Sequence, residues 1–210
     1  LTTPTLALPL QGGGDRTACL QHQSVSTGPG CNRHCKCISP IIVSIPGCQT
    51  IGYPTGVFFY FPAMLKIISA NLNGIRSAAK KGFFDWMLKQ SADFVCVQEL
   101  KAQADDMSPD FLAPPGYHGH FHYAEKKGYS GVGIYSRYEP DAVQVGFGCT
   151  EFDAEGRYIQ CDFGKLSVIS VYCPSGSSSE ERQLAKFRFM EVFLPHLEKL
   201  KACGQEVVLC

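Results

Sequence analysis

Charge is scarce at the start of this chain, and net charge is absent from the whole. Residues 1–63 carry only Asp15, Arg16, Arg33 and Lys36 as formal charges. Over all 210 residues, Lys plus Arg and Asp plus Glu are 19 each. A balance of zero excludes a protein held to nucleic acid by bulk positive charge. A polyanion must then be met by local geometry or through a metal ion. A long unbroken apolar run is also missing. Residues 38–61 are apolar, but Pro40, Pro46, Gly47, Gly52, Pro54 and Gly56 interrupt them. A membrane-crossing helix needs about 20 apolar residues in succession, so no anchor is read there. The start has neither the charged n-region nor the short apolar core of a secretory signal. No methionine precedes Met64.

These absences divide the chain. Residues 1–63 are rich in Gly, Pro, Ser, Thr and Gln and show no sustained helical or strand period. Gln11-Gly12-Gly13-Gly14 and Gly28-Pro29-Gly30 break any element that begins. Three readings of this leader stay open: a disordered extension, an organelle presequence, or translation of sequence upstream of the true start. The coherent pattern that begins at Met64 favours the last. Residues 64–210 hold 16 basic and 18 acidic residues, a slightly acidic domain.

Cysteine is plentiful at eleven, five of them in the leader. The six from Cys96 to Cys210 are scattered, some inside apolar strand-like runs. They read as buried free thiols of a reducing, cytosolic compartment, and no disulfide framework is implied. Cys31-Asn32-Arg33-His34-Cys35-Lys36-Cys37 matches no standard zinc finger, and no second ligand pair follows.

From Met64 the pattern is organised. Leu65–Ala70 and Asp93–Gln98 read as apolar strands. Between them, Ser77–Gln90 groups Phe83, Phe84, Trp86, Met87 and Leu88 as a helix does. Residues 118–124, 131–136, 157–162 and 165–172 read as further strands. Ser178 with Glu181 fits a capping box. The helix it opens sets Leu184, Phe187, Met190, Phe193 or Leu194, Leu197 and Leu200 on one face, with a kink expected at Pro195. Glu206–Cys210 begins another strand. The order predicts an α/β layered domain with a mixed sheet or two packed sheets.

Ligands of α/β folds gather where strands end. Asn71 ends the first strand, Gln98-Glu99-Leu100-Lys101 the second, and Tyr172 a later one. Gly128-Tyr129-Ser130-Gly131-Val132-Gly133 precedes a strand, so by itself it reads as a hairpin turn rather than a phosphate loop. His118, His120 and His122 alternate and share a strand face, read as a polar face before a metal site.

Taken together, Ser69-Ala70-Asn71-Leu72-Asn73-Gly74-Ile75-Arg76, Gln98-Glu99-Leu100-Lys101, the glycine-rich block, Glu155-Gly156-Arg157 and Tyr172-Cys173-Pro174 resemble the exonuclease III family of abasic-site endonucleases. That family lies within the endonuclease/exonuclease/phosphatase superfamily. The resemblance covers residues 64–210 and leaves 1–63 untouched. It implies part of a four-layer α/β sandwich, two packed β-sheets flanked by helices. It implies a DNA-repair nuclease that hydrolyses phosphodiesters with Mg²⁺, or Mn²⁺, on double-stranded DNA bearing abasic sites or 3′ ends. Exonuclease and 3′-phosphatase actions accompany that reading. By similarity, Glu99 is the metal-binding carboxylate, Asn71 its neighbour in the metal and phosphate network, and Tyr172 a hydrogen-bond partner of the scissile phosphate. Arg76, Lys101, Tyr129 and Arg157 are placed on the DNA-facing rim. A monomer without membrane attachment is implied, cytosolic and nucleoid-associated if bacterial.

Two departures stand out. The family's Gly-Asp-x-Asn motif would follow Cys210 directly, and its later acidic and Ser-Asp-His motifs are not in the sequence. The chain as written is therefore expected to lack half of the site and its turnover. Ser175 stands where relatives often carry Asn or Gln, and Leu100 replaces a frequent Thr. The same Glu and Asn would also serve another phosphoesterase of the superfamily, and a non-catalytic fragment is the third reading.

Overall fold

A computed structural model describes residues 64–176 and 179–210, together with short strands at 19–22, 41–46, 51–52 and 58–59. The strands upstream of Met64 are β1 (Cys19–His22), β2 (Ile41–Pro46), β3 (Ile51–Gly52) and β4 (Phe58–Phe59). There follow β5 (Met64–Asn71), α1 (Ile75–Lys80), α2 (Phe83–Gln90), β6 (Phe94–Gln98), α3 (Pro109–Leu112), β7 (His118–His122) and β8 (Val132–Ser136). The chain continues through β9 (Ala142–Val145), α4 (Thr150–Asp153), β10 (Tyr158–Phe163), β11 (Leu166–Val171), α5 (Glu180–Ala202) and β12 (Glu206–Leu209).

Two mixed sheets carry the fold. One has the order β1-β2-β5-β6-β8-β7, the other β12-β11-β10-β9. Within them β5 and β6 run parallel, as do β11 and β12. The two-residue period of a strand explains how the layers stack. On β5, Ile68 and Ala70 face the core beneath α1 and α2, while Leu65 and Ile67 face the other sheet. On β6, Val95 and Val97 join the helical side, and Phe94 and Cys96 the space between the sheets. On the second sheet, Ile159, Cys161 and Val168 point inward, and Tyr158 and Ile169 pack outward on Phe189 and Phe193 of α5. The order is helices, sheet, sheet, helix, the expected four-layer sandwich. Strands buried on both faces read as near-continuous apolar runs, which is why β5, β6 and β11 stand out in the sequence.

Several details differ from expectation. The leader shows no strand period, yet β2 pairs antiparallel with β5 along its own whole length, from Ile41 opposite Ser69 to Pro46 opposite Met64. Its β-branched Ile41-Ile42-Val43 suits a strand paired on both sides, by β1 and β5. The Cys31–Cys37 cluster lies outside the described residues. The single helix expected over 77–90 is two, because Gly82 takes a left-handed conformation with φ 81° between α1 and α2. The cap of α5 is Ser179, one residue later than expected, with Arg182 rather than a glutamate in the position it serves. The helix runs on through Pro195.

The buried face of α5 is partly turned: Met190, Phe193, Leu197 and Leu200 pack on the core as expected, but the first turns differ. Ala185, Phe189 and Phe193 are buried, whereas Leu184 and Phe187 are 53% and 52% exposed. Edge-to-face contacts of Phe189 with Phe147 and Phe152 fix this orientation. Cys96, Cys149, Cys161, Cys173, Cys203 and Cys210 are all free thiols. Among the described residues no helix is long and apolar enough to cross a membrane.

Candidate active site

Parallel pairing of β5 and β6 sets Asn71 opposite Gln98, so both strands deliver side chains at the same sheet end. The loops beyond them are laced together. Leu72, Gly74 and Ile75 donate their N–H groups to the carbonyls of Gln98, Glu99 and Leu100 at 2.8–2.9 Å. Glu99 and Lys101 have φ of 55° and 49°. Such values are uncommon outside glycine and gather at functional sites.

Glu99 is the hub. Asn71 Nδ2 donates to Glu99 Oε1 at 2.6 Å, and the Tyr172 hydroxyl donates to the same oxygen at 2.9 Å. Lys101 Nζ lies 2.8 Å from Glu99 Oε2 and donates to Asn73 Oδ1 at 2.5 Å. Burial alone would raise the Glu99 carboxyl; the Lys101 ammonium, the Asn71 amide and the Tyr172 hydroxyl outweigh it and hold the group below its ordinary value. Burial, then the adjacent Glu99 carboxylate, pushes the Tyr172 phenol up to about 12.

Tyr172 belongs to the other sheet, and a buried tie brings that sheet within reach. Gln98 Nε2 sits 3.3 Å from Ser69 Oγ and 3.2 Å from Ser170 Oγ, while Ser170 Oγ donates to the Val97 carbonyl at 3.1 Å. Arg157 then fixes Tyr172 from behind. Its Nη1 donates to the Tyr172 carbonyl at 2.8 Å, Nη2 to the Tyr129 hydroxyl at 2.9 Å, and Nε to Glu155 Oε2 at 2.5 Å. The guanidinium lies over both the Tyr129 and Tyr172 rings. Tyr129 in turn donates to Glu155 Oε1. Gly156 makes the turn feasible: at φ 60°, a Cβ there would meet the Tyr123 and Ala124 backbone within 2.6 Å.

The expected residues thus converge in large part. Glu99, Lys101, Tyr129, Arg157 and Tyr172 line one cleft of about 320 Å³, with Asn71 hydrogen-bonded to Glu99. One placement is corrected. Arg157 is not on a rim: it is 2% exposed and its nitrogens are committed to Glu155, Tyr129 and Tyr172. Arg76 is exposed, ion-paired to Asp106 at 2.9 Å, and stands outside the lining. Ser175 lines the cleft as well.

Arg182 is the cation that sequence reasoning missed. It enters the cleft from the first turn of α5, 3.6 Å from Glu155 Oε1. An arginine in a run of Ser and Glu carries no signal of its own. The cap at Ser179 is the one clue to where its side chain begins.

The histidines form no centre. His118 pairs with Glu139 at 2.7 Å, His122 Nδ1 meets the Tyr158 carbonyl, and His120 Nε2 is buried without a partner among the described residues. Among the described residues no three His, Cys, Asp or Glu side chains gather as a metal cluster. The donor set at Glu99 nonetheless suits a hard cation. A magnesium-like ion takes one or two carboxylates and keeps much of its water. The Lys101 ammonium already occupies a cation's position on Glu99 Oε2.

Comparison with known proteins agrees with this geometry. The profile described as "Endonuclease/Exonuclease/phosphatase family" matches residues 68–210. The chain is 36% identical over 147 residues to the exodeoxyribonuclease of Bacillus subtilis (strain 168), covering 70% of this chain and 57% of that protein. It is 34% identical over 140 residues to the DNA-(apurinic or apyrimidinic site) endonuclease of Dictyostelium discoideum, covering 66% and 38%. Among solved structures, an AP endonuclease from Archaeoglobus fulgidus superposes with a TM-score of 0.58 at 31% identity, over 65% of this chain and 52% of that one. The chain therefore spans about half the length of the proteins it matches. Two packed sheets and a profile covering most of residues 64–210 have one reading: this chain belongs to the endonuclease/exonuclease/phosphatase family.

Proposed function

We infer that the cleft at Glu99 is part of a site that hydrolyses DNA phosphodiesters at abasic sites, with 3′-end trimming and 3′-phosphate removal as related actions of that site. The observation that carries this is the convergence of Asn71, Lys101 and Tyr172 on one carboxylate at the strand ends. Glu99, with Asn71 beside it, would hold the divalent cation, Mg²⁺ or Mn²⁺. When bound, that ion would supply charge neutralisation at the phosphate and at the departing 3′ oxygen.

The chain's own groups have separate tasks. With its phenol near 12, Tyr172 stays protonated across working pH and serves as a donor to a phosphate oxygen. Lys101, 2.8 Å from Glu99 Oε2, would offer its charge to a phosphate oxygen of the substrate. Arg157 and Glu155 keep the Tyr172 ring in place. Among the described residues lining the cleft, none is a base able to take a proton from water near neutrality: Glu99 is held low and Tyr172 high. Residues 1–210 by themselves are therefore expected to bind duplex DNA without cleaving it.

The test is substrate competition in the full natural polypeptide with Mg²⁺. A duplex with one abasic site, a duplex with a 3′-phosphate and a phospholipid phosphodiester are offered together. Incision at the abasic site with the lipid untouched supports the reading. Preferential turnover of the lipid ester would replace it with another phosphoesterase chemistry.

A further inference from the structure

Positive charge exceeds negative charge along one wall of the cleft. Lys101 is matched by Glu99 at 2.8 Å, and Arg157 by Glu155 at 2.5 Å. Arg182 has only a second share of that Glu155 carboxylate, at 3.6 Å. Two guanidiniums against one carboxylate leave a surplus cation. The surplus rests on the group free to use it, since the Arg182 side chain is 40% exposed and that of Arg157 2%. The Arg182 guanidinium lies 5.9 Å from the centre of the Tyr129 ring. Its main chain is fixed, because its N–H donates to Ser179 Oγ at the start of α5. Ser130, next to Tyr129, lines the same cleft, and its buried hydroxyl has no partner among the described residues. A surplus guanidinium and an unused hydroxyl donor on one cleft together suit an anion.

We propose that Arg182, with Ser130 beside Tyr129, forms a subsite for a second phosphate of the bound strand, flanking the one held at Glu99 and Tyr172. The inference rests on the nucleic-acid reading above and adds to it. A molecule bearing a single phosphate cannot fill two phosphate positions. The subsite therefore favours a polynucleotide over a small phosphoester, and because it reads backbone it is indifferent to base sequence.

The experiment is duplex binding by the protein in chelator, followed by anisotropy from low to moderate KCl. The probes are a duplex with one reduced abasic sugar and the same duplex intact. Arg182→Gln is expected to weaken both about tenfold and to reduce the slope of log affinity against log salt by about 0.9, the signature of one lost phosphate contact. Arg182→Lys is expected to keep the slope. The thermal midpoint of each variant, read alongside, should stay within about 2 °C of the parent because the side chain is exposed. An unchanged slope and affinity in Arg182→Gln, with the parent binding normally, overturns the subsite alone. Failure of the parent to bind either duplex at any salt overturns the nucleic-acid reading and the subsite with it.

Discussion

Glu99 is held by three neighbours that each favour its charged form, and this has a pH consequence. Its folded pKa lies below the ordinary value. The resulting stability is fully present above the unfolded carboxylate pKa and is lost as pH falls through the folded value. Glu99→Gln should therefore remove part of the acid sensitivity below about pH 4.5, visible as a flatter urea-midpoint profile on the acid side. An unchanged profile would mean that the Lys101, Asn71 and Tyr172 contacts do not act on Glu99 in solution. Tyr172→Phe keeps the ring under Arg157 but removes the donor. Turnover in the full natural polypeptide should fall about a hundredfold with duplex affinity within a few fold, the pattern of a contact made in the transition state. Arg157→Met is a different case. It strands Tyr129, Glu155 and the Tyr172 carbonyl, and should cost about 3 kcal/mol of unfolding free energy by denaturant titration. A cost below about 0.5 kcal/mol would return Arg157 to the surface role read from the sequence. Arginine is seldom fully buried, so nothing in its neighbours' identities announces that it is.

Whole elements are legible where burial is two-sided and less so where it is not. The strands β5, β6, β8 and β11 declare themselves because both faces are largely covered, which makes each a mostly apolar run. Asn71 and Glu99 are legible for the same reason, as the first polar groups beyond such runs. The edge strand β9, exposed along its length, gives no comparable signal. On α5 the sequence offers two candidate stripes, and the choice between them is tertiary. Leucine at 184 and phenylalanine at 187 read as core until the cluster of Phe147, Phe152, Phe189 and Phe193 claims the other face. Phe189→Ala should then cost about 3–5 kcal/mol and Phe187→Ala less than about 1 kcal/mol in matched urea titrations. Equal costs would contradict the orientation of α5. Gly82 shows the same limit on a smaller scale: one left-handed residue divides a helix that periodicity alone joins.

At the scale of the molecule, the site exists because two sheets are held in register at one end. Gln98 reaches from β6 to Ser69 on its own sheet and Ser170 on the other, and two residues beyond Ser170 the Tyr172 hydroxyl arrives at Glu99. The layered fold is readable from element order, and the resemblance of scattered short motifs adds which strand ends matter. The tie itself is not readable, since a glutamine and two serines, one 29 residues before it and one 72 after, have no local pattern. The central claim is that this junction is a cation-dependent reaction centre for DNA. Its most direct measurement is strand incision at a single abasic site by the full natural polypeptide, with Glu99→Ala beside the parent. The account predicts a Mg²⁺-dependent nick by the parent, a loss of about a thousandfold in Glu99→Ala, and duplex binding retained by both. Incision by Glu99→Ala at the parent's rate, with ordinary Mg²⁺, would contradict it.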